Sequence, residues 1–318
     1  MNAKRITALA LVLVMTLLLA ACGSKTVVND DGTKTEQTER GVKVTQTAAK
    51  AVQTEKYETA DFSMTIPKGW TLTTGRTNIY HSIRVSDPNE PLNQMFVLLK
   101  ADILLHSQAG KDAWQQNYSM GNTQAALFAK AAVLDSPSTE GFFKIFSQYT
   151  AFASEVEPAY SGYAFPRFDN FTVTDRYPSA SPMKSSALGD EQLRATFTDN
   201  GKEGEGLFAA SVVDFGSFAV SNGNVVGYQL QAVDGGYYMA YNIVAVTAAK
   251  DTFIEWEGVM TDCFKTLQYS DSFVSTTNQA SNEKVALAQQ ISQNFNATMD
   301  GFMSSWESRN ISHSAVPP

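Results

Sequence analysis

The chain has 318 residues, with 24 Lys and Arg against 32 Asp and Glu, a formal charge of −8 and 43% apolar residues. That acidic balance excludes the electrostatic footprint of a nucleic-acid-binding protein. Two cysteines and three histidines exclude a disulfide framework and leave little from which to build a zinc site.

The first element is an address. Lys4 and Arg5 precede an apolar stretch from Ile6 to Leu19, which runs into Ala20, Ala21 and Cys22. The uncharged run of about sixteen residues is shorter than the roughly 20 a membrane-spanning helix needs, so residues 1–21 read as a signal peptide. Leu19-Ala20-Ala21-Cys22 resembles the lipobox of bacterial lipoprotein precursors. The resemblance implies cleavage before Cys22 and acylation of its thiol, palmitate included. The product would be held by lipid on the extracytoplasmic face of the cell membrane. Buried acyl methylenes contribute about 0.8 kcal/mol each, and two chains suffice for stable anchoring. Removal of residues 1–21 leaves 22 basic against 32 acidic side chains, a charge of −10. Cys263 is then the one free thiol, and no intramolecular disulfide can form.

Residues 22–56 hold few apolar residues among many Thr, Lys, Glu and Gln, which predicts a disordered tether. A flexible chain of that length reaches about 30–35 Å. A globular domain is expected over 57–270. Phe62, Met64 and Ile66 alternate with polar residues and predict a strand ending at the Pro67-Lys68-Gly69 turn. Further strands are expected at 79–85 and 94–102. Helical spacing follows in KDAWQQNY, in NTQAALFAKAAVL and in the segment from Ser136 to Val156, where Phe142, Phe143, Phe146, Tyr149 and Phe152 share one side. Strands return at 167–175. Residues 192–214 form an expected hairpin around Asp199-Asn200-Gly201, and a second is expected to turn at Asp234-Gly235-Gly236. A helix over about 251–267 carries Trp256, Met260, Cys263 and Phe264 on its apolar face.

Strands in meander beside segregated helices predict an α+β fold with a mostly antiparallel sheet flanked by helices. The stretch Phe62–Leu72, FSMTIPKGWTL, resembles the opening strand and Pro-x-Gly-Trp turn of Mog1/PsbP-like proteins. That resemblance implies an antiparallel sheet with flanking helices and an accessory or partner-binding role, with no site residue to carry over. Residues 271–318 read as a polar linker and a long C-terminal amphipathic helix. On that helix Ile291, Phe295, Met299, Phe302 and Trp306 recur at three- to four-residue spacing, a face suited to docking on its own domain or to self-association.

Chemistry is sparse. His81, His106 and His313 have no second histidine or cysteine at ligand spacing, so no metal site and no cofactor are expected. Cys263, on the apolar side of a helix, reads as a core thiol. No G-x-S-x-G, H-E-x-x-H or P-loop pattern is present. The surplus is aromatic. Tyr160, Tyr163, Phe165 and Arg167 crowd a proline-broken segment, and Tyr237-Tyr238 lie beside the Gly-Gly turn. Most such rings fill a core; exposed, with an arginine, they make a recognition surface for protein or glycan. The sequence therefore points to a non-enzymatic, lipid-anchored extracytoplasmic binding or accessory protein. The rival is a secreted hydrolase with a carboxylate pair assembled from separate strands.

Overall fold

The structure is a computed structural model that describes residues 26–28, 33–38, 41–46, 51–75, 78–156, 158–179, 182–226 and 229–280. The chain divides into two units after Ala48. In the first, β1 (Thr26–Val28), β2 (Thr33–Thr38) and β3 (Gly41–Gln46) form an antiparallel meander, with Val27 opposite Thr35 and Thr35 opposite Val44. These strands fall within the span read as a tether, residues 22–56. Their Thr and Val content suits a paired backbone.

The second unit opens with β4 (Thr54–Glu58) and β5 (Phe62–Pro67), then β6 (Thr71–Gly75), β7 (Ser82–Ser86) and β8 (Gln94–Leu105). Helix α1 (Gln108–Ser119), the short α2 (Ala126–Lys130), β9 (Ala132–Val133) and α3 (Thr139–Val156) follow. Next come β10 (Asp169–Pro178), β11 (Gly189–Asp199), β12 (Lys202–Gly216), β13 (Ala219–Val226), β14 (Gln229–Asp234) and β15 (Tyr237–Ala249). The described part closes with α4 (Phe253–Lys265), β16 (Gln268–Tyr269) and α5 (Asp271–Ala280).

The fold is α+β and mostly antiparallel. The main sheet runs β10-β11-β12-β15-β8-β7-β6, with β9 joined in parallel to β8. Strand β8 is buried at every position, which identifies it as a central strand covered on both faces. Its alternation sorts two cores. Phe96 and Leu98 face α3 with Phe142, Phe143 and Phe146. Met95, Val97 and Leu99 face α4 and β5, with Trp256, Met260 and Phe62. Since β8 pairs with β15, both halves of the chain complete one sheet, and residues 158–182 supply its edge strand β10.

Three expectations are corrected. The helix over NTQAALFAKAAVL stops at Lys130, because Ala132 and Val133 pair with Leu104 and Leu105. Asp234-Gly235-Gly236 is not a hairpin turn. Strand β14 pairs with β13 in a separate ribbon, whereas β15 pairs with β12 and β8, so the glycines carry the chain from ribbon to sheet. The polar link after Ser270 begins as α5, whose Phe273 stacks on Tyr269 at 4.8 Å and meets the buried His81 at 5.0 Å. The C-terminal amphipathic helix and its Ile291, Phe295, Met299, Phe302 and Trp306 lie outside the described residues, as does Cys22.

A buried polar cluster sits beside the sheet. Lys100, opposite Tyr241, pairs with Asp102 at 3.1 Å, and Tyr80 donates to the same carboxylate. Such a pair offsets its own desolvation through these partners, and loss of one partner is destabilising.

Candidate functional site

The first aromatic candidate is turned inward. Tyr160 is 2% exposed, its hydroxyl donating to the carbonyl of Tyr80. Tyr163 and Phe165 are half-buried against the core, with Phe165 meeting Phe96 at 6.2 Å and Phe146 at 6.3 Å. Arg84 fixes the loop by donating to the Ala164 carbonyl at 3.0 Å. Phe165 thus fills the space between β8 and α3, while Tyr160 and Tyr163 lie against Gly75 at the end of β6. Arg167 remains exposed but is paired with Asp169 at 2.8 Å.

The second candidate opens outward. Where β8 ends, His106 lies beneath the β14–β15 link, with its backbone N–H donating to the Gly236 carbonyl. Ser107 then caps α1 by accepting from the Gly110 N–H at 3.1 Å. The His106 side chain is 9% exposed and is held from both sides. Its Nδ1 lies 2.8 Å from Asp234 Oδ2 and its Nε2 3.1 Å from Asp214 Oδ1. The ring donates to both carboxylates only when doubly protonated. Tyr238 covers it, ring centroids 4.1 Å apart.

Each carboxylate is also tied to backbone. Asp234 Oδ1 accepts from the Gly236 N–H at 2.8 Å, and Oδ2 accepts from the Ser217 hydroxyl at 3.1 Å. Asp214 Oδ1 accepts from the Gly216 N–H at 2.8 Å. Burial works against ionisation of Asp234. The hydrogen bonds from His106, Gly236 and Ser217 outweigh it and hold the carboxyl below its ordinary range. Tyr238 shifts the other way: burial, then the charges of Asp214 and Asp234, raises its phenol.

Beside this polar group lies a ladder of rings. Phe215 stacks on Tyr237 at 4.6 Å and 13°, yet is 54% exposed. Phe218, 38% exposed, meets Tyr237 at 6.3 Å and Trp114 at 6.1 Å. Trp114 stacks on Phe128 at 4.6 Å and donates from Nε1 to the Gly235 carbonyl at 3.0 Å. The ladder is therefore backed by α1 and α2 and rests on a fixed frame. Contiguous exposed rings rimmed by polar groups mark an interaction surface.

The structure thus joins Tyr237 and Tyr238 to residues that sequence reasoning missed: His106, Trp114, Asp214, Phe215, Phe218 and Asp234. A signal was present. DFGSF (Asp214–Phe218) and DGGYY (Asp234–Tyr238) both set an aspartate before a glycine and aromatic residues. A second opening, a groove of about 510 Å³, lies between α3 and the edge strand β10. Its cations are already engaged: Lys144 and Arg176 pair with Glu140, and Arg176 pairs also with Glu191. Among the described residues, no helix is long and apolar enough to cross a membrane. In comparison with known proteins, the chain matches no protein-family model and no curated sequence.

Proposed function

We propose that the protein is a lipid-anchored extracytoplasmic binding protein, attached through Cys22, whose recognition surface is the ring ladder around Phe215 and Tyr237 with its aspartate rim. The observation that carries this reading is the exposure of Phe215 and Phe218 on a rigid aromatic frame. Residues left so exposed forgo hydrophobic stabilisation of roughly 25 cal/mol per Å², which a partner's surface recovers. The lipobox-like Leu19–Cys22 supports the anchored location, and the Mog1/PsbP-like stretch Phe62–Leu72 supports an accessory role. Both ring nitrogens of His106 face carboxylates, an arrangement that favours a structural clamp over general-base chemistry.

Two measurements test the reading. Metabolic labelling with an alkyne fatty acid is expected to mark the wild-type chain and not Cys22→Ser; an unlabelled wild type refutes the anchor. Crosslinking on intact cells is expected to yield a discrete adduct that Phe215→Ala/Phe218→Ala loses. An adduct indifferent to both changes places recognition elsewhere.

A further inference from the structure

We infer that the ring ladder docks an arginine-bearing segment of a protein partner, the guanidinium lying on Phe215 with Asp214 as its counter-charge. This rests on the recognition surface proposed above and specifies its ligand. Asp214 and Asp234 bring two carboxylates to the site, and His106, which they share, can neutralise at most one of them. Asp214 engages His106 and Gly216 through Oδ1 alone; among the described residues Oδ2 accepts no hydrogen bond, and the residue is exposed. A neutral ligand would leave this charge unmatched, and an anion would be repelled.

Shape decides between cations. Phe215 directly follows Asp214 and, stacked on Tyr237, offers a flat exposed ring fixed from behind. A guanidinium is planar, weakly hydrated and able to stack while donating sideways to a carboxylate; a lysine ammonium is a compact, strongly hydrated point charge. The platform therefore favours arginine.

The test uses the mature full-length chain and three fluorescent probes: an Arg-Gly tetrarepeat, its Lys-Gly counterpart and chitotetraose. Saturable binding is expected for the arginine probe, tighter than for lysine. Phe215→Ala and Asp214→Asn should each weaken it by about threefold or more, and both together by about tenfold or more. Glu203→Gln, at the far end of β12 where Glu203 pairs with Lys250, should leave binding unchanged. Equal loss in Glu203→Gln would reveal unspecific charge attraction and overturn the inference. Chitotetraose binding that needs Phe215, with arginine binding that does not, would overturn the ligand class and leave the recognition surface standing. If no probe depends on Phe215 and the cell-surface adduct survives Phe215→Ala/Phe218→Ala, both fall.

Discussion

A β-carbon at Gly236 would collide with the carbonyl oxygen of Gly216 and approach His106 Cε1 at 2.8 Å. Only glycine lets the β14–β15 link lie this close over the end of β12. Gly236→Ala is therefore expected to cost about 1–3 kcal/mol. It should also shift the His106 ring resonances, seen by thermal denaturation and NMR; an unshifted ring would show that the clamp does not depend on this approach. Asp234 gives a pH signature. Its folded carboxyl titrates below the unfolded one, so ionised Asp234 stabilises the fold at neutral pH. That contribution is lost as pH falls from the ordinary carboxylate range through the lower folded value. Asp234→Asn should thus lower the Tm at about pH 7 and converge with wild type near about pH 2. A gap of constant size across that window would contradict the assignment.

Among elements, α3 was the most legible. Its phenylalanines recur at helical spacing, and Ser138 accepts from the Gly141 N–H at 3.0 Å. Phe146 is fully buried against Phe96 and Phe168, so Phe146→Ala is expected to cost about 3–5 kcal/mol in denaturant unfolding. On α4, burial and then Asp262 push the Cys263 thiol up to about 11. Maleimide should label it only after unfolding; rapid native labelling would mean an open helix. Less legible was every feature decided by a distant partner. Period-2 alternation finds β14 and β15 but not that each pairs elsewhere. Helical spacing in 122–134 is overridden at Ala132 by a ladder with β8. The aromatic loop and the aromatic patch look alike in composition. What separates them is tertiary: Phe165 is enclosed between β8 and α3, whereas Phe215 is backed on one side only.

For the whole molecule, the lipobox-like motif and the charge pattern belong to one expectation. If the chain is processed and acylated as proposed, its charge of −10 gives no attraction for anionic lipid, and membrane attachment should rest on the acyl chains alone. Mature Cys22→Ser protein is expected to remain in the supernatant after sedimentation with phosphatidylglycerol vesicles. Co-sedimentation would reveal a second membrane contact.

The pairing of β8 with β15 joins residues that lie well over a hundred positions apart, with Val97 opposite Val244. A ribosome or translocase delivering this polypeptide must release it through Ala249, more than three quarters of the 318 residues, before the middle of the sheet can close. Such long-range closure folds slowly, and the hydrophobic first half stays vulnerable to aggregation in the meantime. The yield of folded molecules is therefore expected to depend on how quickly β15 follows β8.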